Sequence, residues 1–332
     1  MQAGLLGKIS NKVQFMENII HHIEDTKEFD NAKVGNRLPA TSLIICSRNR
    51  PELLTELVKS ILQGEEVPTE MIIVDDSDSC NDQLKNLLTD RMCEIRYLWN
   101  RSVGLSRANN TGIATARFDL LVFTQDDVLV TPTWFGILVR SLLQAKPRTV
   151  VTGKVLPGGE EDGGGFAPST KSDEEIETYK GRIGRDVLYV QNMALFRSAF
   201  AEVGSFDPDL GPGTPFPAAE DNDFALRLLE AGYQIIYDPR AVTYHRAWRS
   251  EDEYLWLHWN YGRGQGAFYA KYFRLKDPYM IRRIAKDIWG YVIRFPYRLL
   301  RNRPQAWRDM LYVAGLLYGA AHWQIRSSSR RL

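Results

Sequence analysis

Two acidic pairs stand out because each directly follows a short apolar run. Asp75-Asp76 follows MIIV (71–74), and Asp126-Asp127 follows LLVFT (120–124). Carboxylates gathered at one rim repel unless a cation or hydrogen-bond donors intervene. Mg2+ and Mn2+ take oxygen ligands and keep phosphate oxygens as co-ligands. The two pairs together therefore point to a metal–diphosphate site, whereas either pair alone could simply cap a turn. A further acid lies in the helix expected after Pro217. On a helical wheel, Phe224, Ala225 and Leu228 fall within about sixty degrees of Asp221, while Glu220, Asn222 and Asp223 move to the flanks. An acid on an apolar face is costly without partners, and the N-terminal end of a helix helps to keep it ionised. Asp221 is thus either a helix cap or a carboxylate aimed into a cleft as a general base. His245 ends the apolar run 241–245. A lone histidine is more often structural, but neutral imidazole also ligates Mn2+-like ions.

The elements that must position these residues alternate. SLIICS (42–47), MIIV, 93–99, LLVFT and 149–155 read as buried strands. Between them, Pro51 opens an amphipathic helix to about Leu62, a second helix runs from Leu105 to Ala116, and Pro132 opens a third. Strands apolar on both faces and separated by helices predict a mixed, mostly parallel sheet covered by helices, an α/β fold. In open sheets of this kind ligands bind beyond the carboxyl ends of the strands, where both acidic pairs fall. Further along, 186–197 reads as strand, 220–231 as helix, and 234–237 and 241–245 as two short strands. Gly158–Gly165 (GGEEDGGG) cannot pack and reads as a mobile loop. Val13, Met16, Ile20 and Ile23 recur at helical spacing, so residues 1–38 read as a helical preface. The expected organisation is this segment, a catalytic domain over 39–248 and a helical C-terminal extension over 249–332.

The chain has 332 residues and a formal charge of +1, which by itself argues against a nucleic-acid binder. The charge is not evenly spread. From Arg246 to Leu332 there are 17 Lys+Arg and 6 Asp+Glu, a net of +11, which leaves −10 for the rest. Cys46, Cys80 and Cys93 form no CxxC pair, which makes a disulfide framework or a thiolate zinc site improbable. No long apolar stretch follows Met1, so no leader is expected.

The ordered segments SLIICSRNRPELLTELVKSIL, EMIIVDDSDS, NRSVGLSRANNTGIATARFDLLVFTQDDVLVTP, VQNMALFRSAFAEVGSFDPDLG and AAEDNDFALRLLEAGYQIIYDPRAVTYH resemble the inverting family-2 glycosyltransferases of GT-A fold. The resemblance implies transfer of a sugar from a nucleotide-diphosphate sugar to an acceptor hydroxyl, with a Mn2+ or Mg2+ cofactor. It implies that Ser47, Arg48, Asp75, Asp76, Arg107 and Asp126 serve the donor, with Asp76 at the nucleobase. Gln125-Asp126-Asp127 looks like the family's metal motif with Gln125 in place of the first acid, so Asp127, joined by His245, would ligate the metal. Glu220-Asp221 looks like the family's acidic pair with Asp221 as base, and Asn192 like an acceptor-side asparagine. A sugar nucleotidyltransferase and a non-catalytic glycan-binding protein are the alternatives.

The C-terminal extension interleaves Trp248, Trp256, Trp259, Trp289, Trp307 and Trp323 with arginines. That texture suits an anionic membrane interface more than nucleic acid, and the family's lipid-linked and envelope-polysaccharide acceptors agree. The expected location is cytoplasmic, with the extension either peripheral at the membrane's inner face or simply covering the open face of the catalytic domain. Gly315 and Gly319 have the spacing of close helix packing. Tyr261–Gly266 (YGRGQG) lacks the preceding strand of a phosphate loop and reads as a turn or close-packing segment.

Overall fold

The computed structural model describes residues 38–84, 92–99, 103–158, 168–246, 249–273 and 277–329. The helical segment expected over residues 1–38, apart from Leu38, and most of the Gly158–Gly165 loop lie outside these.

Four apolar runs form β1 (Thr41–Ser47), β2 (Glu70–Asp75), β3 (Glu94–Trp99) and β4 (Leu120–Gln125), paired in parallel in the order β3-β2-β1-β4. Side chains alternate across each strand, and both faces are covered. Leu43, Ile45, Met71, Ile73 and Val122 pack with helices α1 (Pro51–Leu62) and, after β5 (Val128–Val130), α3 (Trp134–Gln144). Ile44, Cys46, Ile72, Val74 and Phe123 pack on the other side with α2 (Leu105–Thr115) and the later α5 (Glu220–Glu230). Pro51 occupies the first turn of α1, where a missing N–H costs nothing.

The other half of the nine-stranded sheet is mainly antiparallel. β8 (Met193–Phe196) joins β4 to β6 (Thr149–Pro157), antiparallel to both. β9 (Gln234–His245) runs parallel to β6, and its two halves pair antiparallel with β7 (Glu177–Lys180) and β5. The two short strands expected at 234–237 and 241–245 are one strand. The register with β6 jumps from Gly153–Asp238 to Lys154–Val242, so Pro239 falls in a bulge where its missing N–H interrupts no ladder. The strand expected over 186–197 shrinks to β8, behind a 3-10 turn at Val190–Asn192 and ahead of the short helix α4 (Ser198–Val203).

Beyond β9 the chain is helical: α6 (Glu251–Tyr272), α7 (Pro278–Arg301) and α8 (Arg303–Ser329). Ser250 and Glu253 form a reciprocal capping box that starts α6. A Cβ at Gly262 or Gly266 would strike the carbonyl oxygen of Tyr312 or Leu316 on α8. One at Gly315 or Gly319 would strike that of Trp259 or Arg263 on α6. Four glycines thus let two helix backbones touch, at a propensity cost of about 1 kcal/mol each relative to Ala. The YGRGQG stretch is therefore helix interior, and its role is close packing.

The extension shares a core with the sheet domain. Leu226 of α5 clusters with Phe268, Tyr269, Met280 and Leu316. Asp223, fully buried, accepts hydrogen bonds from Arg227 Nη2 (2.8 Å), Lys271 Nζ (2.5 Å) and Tyr272 OH (2.7 Å). This corrects the wheel reading, in which Asp223 lay on an outer flank. Both sides of α5 are covered because α6 lies on the side away from the sheet.

Candidate active site

The strand registers assemble the site. Ser47 stands opposite Asp75 across β1–β2, and Cys46 opposite Gln125 across β1–β4, so the ends of β1, β2 and β4 share one rim. Val128 pairs with His245 across β5–β9, which carries the histidine to the same rim beside Asp127. Here the chain encloses a cavity of about 1080 Å3 lined by Ser47, Arg48, Arg50, Asp76, Asp126, Asp127, Glu220, Asp221 and His245. It exceeds the usual range for one small ligand and has room for donor and acceptor together.

Asp76 accepts a hydrogen bond at Oδ2 from Gly104 N (3.0 Å), and its buried Oδ1 has no partner among the described residues. Gly104, at φ 117° and with Gly213 pressed against its Cα, is a position where a side chain would strain the backbone. Asp126 Oδ2 accepts from Ser47 Oγ (2.9 Å) and Arg48 N (3.2 Å). Arg50 Nη1 bridges Asp126 Oδ1 (3.1 Å) and Asp127 Oδ2 (2.6 Å). Burial, then the charge of Asp127, raises the Asp126 carboxyl to about 6, against the opposing pull of Arg50. Burial also acts to raise Asp127, but His245 and Arg50 outweigh it and hold that carboxyl well below the usual range.

His245 Nδ1 lies 2.8 Å from the Pro168 carbonyl oxygen, which can only accept, so Nδ1 donates. Nε2 of the same ring lies 3.5 Å from Asp127 Oδ2, while Asp127 Oδ1 is buried with no partner among the described residues. A buried carboxylate oxygen without a partner, beside an imidazole nitrogen, is a place that a cation can fill. A carboxylate and an imidazole suit a Mn2+-like ion whose shell is completed by phosphate oxygens and water. Among the described residues no group of three His, Cys, Asp or Glu side chains converges as a complete cage. Asp127 and His245 are thus two side chains that could supply part of an ion's shell.

Glu220 and Asp221 begin α5 after Ala219, which adopts the left-handed conformation at φ 68°. Such strain in a non-glycine residue costs about 1–3 kcal/mol and persists where packing enforces it. Ala219 is buried in the cluster shared with α6–α8. Asp221 Oδ1 accepts from Asn222 N at 2.8 Å. Burial, then the charges of Glu220 and Asp186, raise the Asp221 carboxyl well above its ordinary value. Burial also raises Glu220, to about 7, with the charge of Asp223 adding to it.

Three expected site residues do not face the cavity. Asp75 turns back into the sheet, accepting from Ser77 N (3.0 Å) and Tyr97 OH (2.6 Å), and braces the loop that carries Asp76. Arg107 is exposed on α2, with its guanidinium on the Val103 carbonyl (3.2 Å). Its expected contact with a diphosphate is corrected, because the helix turns it outward. Asn192 is fully buried: its amide donates to the Lys154 and Ala241 carbonyls (2.9 Å each) and accepts from Trp134 Nε1 (2.8 Å). With its capacity used inside the sheet, the acceptor role expected for it is also corrected.

The sequence reading missed Arg50. Its signal was present, since it lies three residues beyond the β1 end and directly before a helix-opening proline. It also missed that α7 supplies a wall of the cavity through Arg283, Lys286, Asp287 and Arg294. Nothing local announces those contacts, which join parts of the chain that are distant in sequence.

With this geometry in view, residues 42–204 match the family model for glycosyl transferase family 2. A pre-mycofactocin glycosyltransferase of Mycobacterium tuberculosis is 29% identical over 210 residues, an alignment covering 61% of this chain and 42% of that protein. This chain thus spans less than half the length of that relative. The putative colanic acid biosynthesis glycosyl transferase WcaA of Escherichia coli is 24% identical over 291 residues, covering 85% of this chain and 95% of that one. Among solved structures, the mannosyltransferase PcManGT from Pyrobaculum calidifontis, in complex with GDP-Man and Mn2+, matches with a TM-score of 0.56 at 14% identity. That match covers 94% of this chain and 97% of the other, and at such identity it shows the shared fold alone.

Proposed function

Because this chain belongs to glycosyltransferase family 2 and has its GT-A fold, we propose that it moves a sugar from a nucleotide-diphosphate sugar to a hydroxyl of a glycan or lipid-linked glycan, with inversion. The observation that carries the reading is that Asp221, a carboxylate made basic by its surroundings, lines the same cavity as Asp76, Asp126, Asp127 and His245. Asp76 and the Asp126 region bind the donor nucleoside. Asp127 and His245 would hold Mn2+ or Mg2+, whose chemistry when bound is to offset charge on the departing nucleoside diphosphate. Arg50, already between two carboxylates, supplies positive charge on the same side. Asp221 takes the proton of the acceptor hydroxyl as that oxygen attacks the anomeric carbon opposite the leaving group, and attack from that side inverts the centre. The family membership favours this reading over nucleotidyl transfer or glycan binding without catalysis. A panel of UDP-, GDP- and dTDP-sugars with Mn2+ tests it by release of nucleoside diphosphate in the presence of glycan acceptors. Turnover of at least one donor is expected, and a chain that binds none of them defeats the proposal.

The raised carboxyls give the reaction a pH signature. A general base must be ionised, and a group with a raised pKa is protonated at higher pH than an ordinary carboxylate near about 4. The rate is therefore present above the raised value and lost as pH falls through it. The acid limb of kcat/KM is expected well above the ordinary carboxylate range, in the direction that burial and the charges of Glu220 and Asp186 push Asp221. In Glu220→Gln the loss of a neighbouring negative charge should shift the limb toward lower pH. A limb near 4 in the wild-type chain would show that no buried carboxylate controls the step.

A further inference from the structure

Helix α7 has two faces with different surroundings. Arg283, Lys286, Gly290 and Arg294 line the cavity. About 120° around the helix, by the 3.6-residue period, lie Trp289, Val292, Ile293, Pro296 and Leu300. Trp289 is 65% exposed, Ile293 55% and Leu300 87%, so this apolar ridge is largely uncovered among the described residues. Trp307, at the start of α8 and 58% exposed, adds a second indole through its edge contact with Phe295, ring centroids 6.4 Å apart. Farther along α8, Leu317, Tyr318 and Ile325 are also exposed, but no Arg or Lys lies between Arg308 and Arg326 to stand beside them.

We propose that α7 lies flat on an anionic lipid bilayer, its ridge among the upper acyl chains and its basic residues at the headgroups. The charge argues for this occupant. From Pro278 to Arg303 there are seven Arg and Lys against one acid, Asp287. Asp287 accepts hydrogen bonds from Tyr269 OH (2.8 Å) and Tyr312 OH (2.9 Å), both inside the extension. Arg282, Lys286 and Arg294 make no ion pair among the described residues. Exposed indoles beside unpaired cations are the composition of a helix at a membrane surface. No helix of the described residues is long and apolar enough to cross a membrane, which leaves α7 in the interface plane. One helix then touches lipid on one side and the cavity on the other, so the cavity mouth opens at headgroup level, where an acceptor with a lipid tail presents its sugar. The docking rests on this surface alone and stands whether or not the chain transfers sugar.

Co-sedimentation of the full chain with vesicles tests it without any activity readout. Binding is expected to phosphatidylglycerol–phosphatidylcholine vesicles at about a 1:3 ratio, weakening in high salt, with little to phosphatidylcholine alone. The double variant Trp289→Ser, Leu300→Ser changes two outward side chains and should lower the bound fraction's partition coefficient about tenfold or more. Leu317→Ser with Ile325→Ser, 59% and 68% exposed on α8, should leave it unchanged. The proposal is overturned if the wild-type chain stays in the supernatant with anionic vesicles, including the case in which it self-associates through this ridge. It is also overturned if the α7 variant sediments like wild type, or if the α8 variant loses as much.

Discussion

Asp221→Asn should lower kcat by about a thousandfold, within the usual range for a positioned general base, while donor affinity stays within about threefold. The change is nearly isosteric, and the amide oxygen can still accept from Asn222 N. What is lost is the negative charge and the ability to take a proton. Asp221 starts α5, while the donor-side groups come from the ends of β1, β2 and β4 and from the neighbouring turn, so nucleotide binding has little reason to change. Near-normal turnover removes Asp221 from the base role. A large loss in Glu220→Gln but not in Asp221→Asn moves the role to Glu220, its buried neighbour. Measuring nucleotide affinity and kcat on the same preparations separates loss of chemistry from loss of binding.

The parallel half of the fold was legible because its strands carry local signals. Each is an apolar run ended by polar residues, and burial on both faces leaves little freedom in the reading. The acidic rim followed, since β1, β2 and β4 end where Ser47, Asp76 and Asp126 begin. What was not legible depends on long-range packing. β9 looked like two strands because Pro239 ordinarily ends one, and only its pairing with β6 shows that the proline lies in a bulge. The wheel set Asp221 in the apolar stripe and Asp223 on a flank, yet Glu220, Asn222 and Asp223 are buried and Asp221 is only partly so, because both sides of α5 are covered. Lys271 and Tyr272, on an element more than forty residues later, turn the side away from the sheet into an interior. Asn192 and Arg107 failed for a related reason. A motif gives a residue's place along the chain, but the burial of Asn192 and the outward turn of Arg107 are set by the surrounding packing.

The split charge acquires a physical basis from the same contacts. The acidic body concentrates carboxylates at a rim where they are tolerable only beside cations, and the basic extension supplies some of those cations. Lys271 reaches Asp223 and Asp207 beneath the site, and Lys286 and Arg294 line the cavity. Elsewhere in the extension Arg298 pairs with Asp309, and Arg326 with Asp209 of the body. The two halves are therefore coupled through α5, whose strained start at Ala219 is held by the extension and carries Asp221.

That dependence on cations makes Asp127 the site of the second large effect. In the wild-type chain Mn2+ is expected to strengthen nucleoside diphosphate binding by about tenfold or more, and in Asp127→Ala the enhancement should vanish. Among the described residues, Asp127 supplies the buried carboxylate oxygen beside His245 that lacks a partner, while Asp126 spends its oxygens on Ser47, Arg48 and Arg50. His245 alone would hold the ion too weakly to matter. Arg50 provides the contrasting variant. Its guanidinium, 2.6 Å from Asp127 Oδ2, competes with the ion for the same carboxylate. Arg50→Ala should therefore increase Mn2+ affinity measured without nucleotide, yet weaken diphosphate binding measured without metal, because a positive charge has left the rim. Calorimetric titration of Mn2+ and of nucleoside diphosphate, separately and together, reads all of these effects. Unchanged Mn2+ enhancement in Asp127→Ala would show that the ion is held elsewhere, and an Arg50→Ala variant with weaker Mn2+ binding would show that the arginine and the ion do not share Asp127.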